Sequence, residues 1–372
     1  MNKLLIILIA ILALSLPSCR KNKDPKGDQI QPGDQGTELW TPTFQPPPEP
    51  LECTELQINS ILANTTAALI IDCNATLEPN QTITRKLIFQ GARSSGVTFN
   101  CNDSTIGQPN DNILDIIEIR SNQTTNGTWT PVHDVTIRNC TVNGGIRVWG
   151  KGKNGSAETF LESSHSLQHV TNTRNSAPYH VVLENLAIAA NDRIPVYFAP
   201  GVHHSALIES NLSGKSPLLY LDAESFGNNI EGNIFSGAVT REAIAIDGSA
   251  SNVIRDNSLV DLTNGGIYLY RNCGEDGVIR HTTPSNNEIS GNDIMHGNGI
   301  WPFNTNAGIY LGARDGSSGY CNDDAGYDYG SSISDQDHAR FNLVSENELW
   351  GCTIETGNRT NHSNVVENNT IH

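Results

Sequence analysis

The sequence predicts an all-β solenoid, one chain wound into stacked coils of short parallel strands. Three observations predict it. A pattern of the form apolar-x-x-Asn-x-apolar recurs at Ile230-Asn233-Phe235, Ile254-Asn257-Leu259, Ile289-Asn292-Ile294, Val344-Asn347-Leu349 and Val366-Asn369-Ile371, with weaker copies centred on Asn139, Asn185 and Asn211. The steps are short: 22 residues from Asn211 to Asn233, 24 more to Asn257, and 22 again from Asn347 to Asn369. Between the copies lies a second strand type that alternates with period two, and a coil of about 23 residues has no room for a crossover helix.

Composition agrees. The 372 residues carry 23 Lys plus Arg against 40 Asp plus Glu, a formal charge of −17, which argues against a phosphate-backbone partner. Only 17% of residues are charged, and 33 glycines accompany abundant Asn, Ser and Thr. Polarity without charge suits many short strands joined by tight turns better than long helices.

The N-terminal elements come first in the chain. Lys3 precedes an apolar run, Leu4 to Leu16, which is too short for an ordinary spanning helix and ends in Pro17-Ser18-Cys19. This resembles a bacterial lipobox. The resemblance implies a signal segment over residues 1–18, cleavage before Cys19 and lipidation of its thiol. Residues 19–50 end in Gln45-Pro46-Pro47-Pro48-Glu49-Pro50 and read as an extended tether. The expected location is the cell envelope, with the membrane touched through the lipid alone and the folded domain spanning 51–372.

The second strand type appears as Ile146-Arg147-Val148-Trp149, Val196-Tyr197-Phe198-Ala199, Leu219-Tyr220-Leu221-Asp222, Ile244-Ala245-Ile246-Asp247, Ile267-Tyr268-Leu269-Tyr270 and Ile309-Tyr310-Leu311-Gly312. With the Asn repeat, these strands resemble the right-handed parallel β-helix superfamily typified by pectin and pectate lyases, over residues 51–372. The resemblance implies a single-stranded right-handed parallel β-helix. Asn at one turn position in successive coils would form a ladder, each amide reaching the next about 4.8 Å away.

The first and third residues of each such strand are apolar and must face the core, so the residues between them form two outward columns. One reads Arg147, Tyr197, Tyr220, Ala245, Tyr268, Tyr310; the other reads Trp149, Ala199, Asp222, Asp247, Tyr270, Gly312. Rows of aromatic rings suit the apolar faces of sugars, which makes Arg147, Trp149, Tyr197, Tyr220, Tyr270 and Tyr310 candidate substrate contacts. Asp222 and Asp247 on adjacent coils would repel, so one proton or one cation should lie between them.

In polysaccharide lyases of this fold, acidic side chains hold Ca²⁺ against a uronate carboxylate while Lys or Arg takes the C5 proton. The resemblance therefore implies Asp222, Glu224 and Asp247 as Ca²⁺ ligands, Lys215 or Arg271 as base, and Tyr268 as acid. The expected function is an envelope-tethered lyase that cleaves an acidic, uronate-containing polysaccharide by β-elimination. Two alternatives stand beside it. One is a glycoside hydrolase using Asp222 and Asp247; the other is a non-catalytic carbohydrate-binding surface protein or adhesin. No specific pectate-lyase motif, full polygalacturonase set or alginate-epimerase motif is present in the chain.

Seven cysteines remain once Cys19 is set aside, an odd number. Cys53 and Cys73 are a possible pair near the N-terminal end, and Cys101 and Cys140 suit either a bond or stacked core thiols. A Cys273–Cys321 bond would tie together the long loops 271–286 and 312–341 as walls of a cleft. The polar insertion 151–177 is a third wall or a mobile loop, and His203-His204 reads as a solvated turn.

Overall fold

Each coil carries three short strands, because apolar residues alternate into the bore and the residues between strands accept sharp turns. The computed structural model describes residues 40, 44, 46, 49–109, 115–153, 156–191, 193–296, 307–313, 338–357 and 363–372. The signal segment, Cys19, most of the tether and Cys321 lie outside the described residues. Strands Leu69–Ile70, Leu87–Gln90, Asp115–Arg120, Gly145–Trp149, Val196–Phe198, Leu219–Leu221, Ile244–Asp247, Ile267–Tyr270, Ala307–Leu311 and Thr353–Thr356 form one ten-stranded sheet in that order. This is the first face.

The second and third faces begin as continuous bent strands, Thr98–Ile106, Thr136–Asn143 and Val182–Ala190. Each bends at an asparagine in the left-handed region, Asn102, Asn139 and Asn185, with φ of 49°, 56° and 49°. Later coils split at the same corner, as in Asn229–Glu231 and Ile234–Ser236 around Gly232 at φ 66°. Asn and Gly tolerate this conformation best; in the later coils the left-handed residue stands just before the repeat asparagine, as Gly232, Asp256, Gly291, Glu346 and Asn368 do. Every pairing along the three faces is parallel, as in Leu219↔Ile244 and Ile230↔Ile254. The architecture is the right-handed parallel β-helix expected from the repeat.

The bore is one apolar core, in which Leu219, Leu221, Ile230, Phe235, Ile244, Ile246 and Leu269 are fully buried. The asparagines close the polar account along it. Asn233 donates to Asn257, Asn257 to Asn292 and Asn292 to Asn347, each at 2.9 Å, and Asn347 to Asn369 at 2.8 Å. A second ladder, not anticipated from the repeat, runs five residues earlier. It joins Asn228, Asn252, Asn287, Asn342 and Asn364 at 2.8–3.1 Å. Each rung also accepts a backbone N–H, as Asn257 does from Asn233 at 3.0 Å, so the buried amides are satisfied on both sides.

Helix α1 (Glu55–Ile61) lies near the N-terminal end and starts with a reciprocal Thr54–Gln57 capping box. Disulfides join Cys53 to Cys73 and Cys101 to Cys140, which settles the second pair in favour of a bond. Cys273 is disulfide-bonded, while its expected partner Cys321 lies outside the described residues. Cys352 is a buried free thiol. The insertion after Trp149 folds into two short helices, α2 (Ala157–Ser164) and α3 (His169–Arg174). Among the described residues no helix is long and apolar enough to cross a membrane.

Candidate functional site

The strand register places the two columns as the alternation requires. Glu118, Arg147, Tyr197, Tyr220, Ala245, Tyr268 and Tyr310 are successive partners across the first face. They point away from the core, yet most are not exposed. Tyr197, Tyr220, Tyr268 and Tyr270 are buried with Ala199, Ala245 and Ala307 in a second apolar cluster, separate from the bore. The expectation of an open aromatic face over these coils is therefore corrected. Residues 271–286, α2 and α3 lie over it: Ile279 N–H bonds Ser164 Oγ at 3.1 Å, and Arg174 Nε bonds the Glu224 carbonyl at 2.9 Å.

Beneath this cover sit the two aspartates, both fully buried. The cation between them is part of the protein. Arg280 Nη1 donates to Asp247 Oδ2 at 2.6 Å and lies 3.1 Å from Asp222 Oδ1. Tyr197 donates its hydroxyl to Asp222, and Tyr220 donates to Asp247 at 2.5 Å. Backbone N–H groups complete the set, Ala223 on Asp222 at 2.8 Å and Asn272 on Asp247 at 2.7 Å. Burial and the Asp247 charge raise the Asp222 carboxyl above the usual range against the pull of Arg280. Burial and both carboxylates, Asp247 foremost, push the Tyr220 phenol well up.

Glu224 does not join the pair. It accepts from the His281 N–H at 2.7 Å, the Thr282 N–H at 3.0 Å and the Thr282 hydroxyl. Burial pushes its carboxyl up, but His169, His281 and these donors hold it below the ordinary value. The oxygens of Asp222, Glu224 and Asp247 thus already accept protein hydrogen bonds or the Arg280 charge. Among the described residues no group of three His, Cys, Asp or Glu side chains converges as a metal site. These donors do not fit the Ca²⁺ ion that the resemblance implied, because a dication would have to displace a guanidinium.

The expected base residues are not brought together. Lys215 is exposed on the turn leading into strand Leu219–Leu221. Arg271 is buried just after strand Ile267–Tyr270, at the opposite end of the face, where it donates to the carbonyls of Arg280 at 3.2 Å and His281 at 2.8 Å. Tyr270 bonds Glu242 at 2.6 Å and Arg241 at 2.8 Å. Burial, with the Glu242 charge, pushes the Tyr268 phenol above its usual range. A cavity of about 30 Å³ lies against Asp222, Glu224, His169, Arg280 and Lys153, room for a water or two and not for a sugar ring. Burial lowers His169 to about 4, so its imidazole is neutral at pH 7.

The face opens toward the N-terminal coils, around the half-buried Trp149. Lys153 Nζ and Arg120 Cζ stand 5.2 Å and 5.6 Å from its ring centre. Lys153 bridges Glu118 at 3.1 Å and Asp115 at 3.5 Å; Lys86 and Arg120 each reach Glu118 at 2.8 Å. Arg147 and Arg193 reach Asp115 at 3.1 Å and 3.6 Å. Five cations therefore surround two carboxylates in a chain whose total charge is −17. Burial pushes the Glu118 carboxyl up, but Lys86 and Lys153 outweigh it and hold it ionised.

Of the expected contacts, Trp149 belongs to this open patch, while Arg147 is buried against Asp115. Glu118, Arg120, Lys86, Lys153 and Arg193 were missed. A signal for two of them was there, because Ile117-Glu118-Ile119-Arg120 alternates like the other strands of the face.

No protein-family model matches the chain, and no curated protein matches it in sequence. Among solved structures it is similar to a periplasmic alginate epimerase, with 10% identity, a TM-score of 0.44, and coverage of 82% of this chain and 68% of that one. It is similar also to an endo-xylogalacturonan hydrolase from Aspergillus tubingensis, at 10% identity, a TM-score of 0.39 and coverage of 85% and 88%. A pectin methylesterase from Aspergillus niger is 12% identical, with a TM-score of 0.34 and coverage of 88% and 87%. The assignment as a parallel β-helix rests on this chain's own strand pairings and ladders.

Proposed function

We propose that this protein engages an acidic polysaccharide on the open coils of the first face, with the sugar seated at Trp149. The observation that carries the reading is the concentration of Lys86, Arg120, Lys153 and Arg193 about Glu118 and Asp115, with Arg120 and Lys153 flanking the Trp149 indole, in a strongly acidic chain. An apolar ring face offers stacking to a pyranose, and partly exposed cations beside it select a carboxylated or sulfated one. The paired carboxylates Asp115 and Glu118 hold those cations in place.

Hydrolysis is the second reading, and Asp222 supports it. Its carboxyl, raised by burial and the Asp247 charge, borders a water-sized cavity that Lys153 of the same patch also lines, so a carboxyl group lies next to the binding surface. Elimination has less support, because Lys215, Arg271 and Tyr268 do not converge. The same proposal places the domain in the cell envelope through Cys19, to be checked by mass spectrometry of the processed N-terminus.

The test is a screen of the purified protein against polygalacturonate, alginate and neutral dextran. Binding is followed by affinity electrophoresis, and products by reducing ends and unsaturated-uronate absorbance. Retention by the acidic polymers alone is the expected result. Reducing ends without unsaturation add hydrolysis, and unsaturated products restore the lyase reading. Equal retention by dextran contradicts the charge argument.

A further inference from the structure

The cover over the first face brings three side chains together from three segments. Ser163 stands in the last turn of α2, His169 opens α3, and Glu224 follows strand Leu219–Leu221. Ser163 Oγ lies 3.0 Å from His169 Nδ1, and His169 Nε2 lies 3.9 Å from Glu224 Oε1. Ser163 is half-buried, whereas His169 and Glu224 are buried. Hydroxyl, imidazole and carboxylate follow one another in the order that activates a serine.

The charge of Glu224 decides which imidazole nitrogen carries the proton. Burial pushes the Glu224 carboxyl up, yet His169, His281 and the Thr282 donor hold it below the ordinary value, so it is ionised at neutral pH. A singly protonated imidazole keeps its proton on the nitrogen nearer that charge, Nε2, which leaves Nδ1 as an acceptor. The Ser163 hydroxyl then donates to Nδ1, with the Phe160 carbonyl as its other neighbour at 3.2 Å. The rings of Phe160 and His281 flank the imidazole at 6.0 Å and 4.9 Å.

We propose that Ser163, His169 and Glu224 form an acyl-transfer centre that removes short acyl groups, of acetyl size, from ester-linked sugar hydroxyls. In the first step Ser163 Oγ bonds to the acyl carbon and its proton passes to His169 Nδ1. The ester C–O bond breaks, and the sugar oxygen leaves with that proton. Water then attacks the acyl-serine carbon with His169 as base, which releases the carboxylic acid and restores the hydroxyl. Glu224 stays ionised throughout and offsets the imidazolium that forms between the transfers.

The surroundings set the substrate class. The cavity of about 30 Å³ that borders His169 has room for about two waters, which suits an acetyl group and excludes a long acyl chain. Phe160, Pro200, Val278 and Ile279 give it an apolar side. Lys153 lines the same cavity and stands over Trp149, so the centre adjoins the proposed sugar surface. The pH range follows from the imidazole. Burial lowers His169 to about 4, with Glu224 pulling it up and His281 and Lys151 pushing it down, so the base form is present above that value and is lost below it.

The experiment uses the full chain and p-nitrophenyl acetate, which carries no sugar, so its outcome stands apart from polygalacturonate binding. Acetate release should exceed the buffer rate, and Ser163→Ala should lower it by about 100-fold or to the buffer rate. Ser163 is half-buried, so this variant should fold, with circular dichroism as the check. A fluorophosphonate probe should phosphonylate Ser163 with loss of fluoride, read by peptide mass spectrometry. The wild-type rate should hold from neutral pH to about pH 5 and fall as His169 is protonated near 4. No release above the buffer rate, release undiminished in Ser163→Ala, or a fall centred on the ordinary imidazole value of about 6.5 overturns the proposal.

Discussion

Arg280→Met tests the buried charge cluster. The guanidinium is 6% exposed and touches two fully buried carboxylates, so its removal leaves Asp222 and Asp247 facing each other without a cation. Removing one partner of a buried ion pair costs about 3–5 kcal/mol, and Met replaces none of the charge. Part of the loss is relieved when the pair takes up a proton. In the variant the shared carboxyl value then lies well above the unfolded value of about 3.9, so the protonated pair stabilises the fold at low pH and that stability is lost as the pH rises through the raised value. Urea melts at several pH values measure both terms. The variant should be several kcal/mol weaker at neutral pH and recover by up to about 1.4 kcal/mol per pH unit on acidification. Adding Asp222→Asn and Asp247→Asn should restore much of the loss at neutral pH. A variant as stable as wild type at neutral pH, with no pH slope, would refute the reasoning.

Two further outcomes follow from the same geometry. Chelation with EDTA should leave the melting curve of the wild type unchanged, because Arg280 supplies the positive charge between the aspartates; a destabilisation would point to a bound cation. Asn257→Ala removes a rung between Asn233 and Asn292, leaving buried amide groups unpaired, and should cost about 1–3 kcal/mol in urea melts. A loss below a few tenths would show that the ladder is dispensable.

The solenoid was legible because its signals are local and repeated: Asn at the corner of each coil and apolar residues at every second strand position. Even the second ladder stands in the sequence, as Asn228, Asn252, Asn287, Asn342 and Asn364, five residues before the first. The orientation of the Tyr and Asp columns was legible too. Their burial was not, because the cover comes from non-periodic segments, and Arg280 reaches Asp247 from 33 residues away. A period-two pattern says which side of a sheet a residue faces and nothing about what lies on that side. Composition makes residues 19–50 an extended tether, yet Trp40 and Phe44 within it pack against the His203 and His180 rings, a contact that adjacent histidines on a turn do not signal.

The central claim, an acidic sugar chain held at the open coils, is tested most directly by polygalacturonate binding to Trp149→Ala and Lys153→Ala, measured by calorimetry at low and high salt. Both side chains are partly solvent-exposed, so both variants should fold with little loss of stability. The account predicts that each weakens binding at least several-fold, that added salt weakens the wild type, and that Lys153→Ala flattens that salt dependence. Undiminished binding in both variants, with Asp222 and its cover intact, would contradict it.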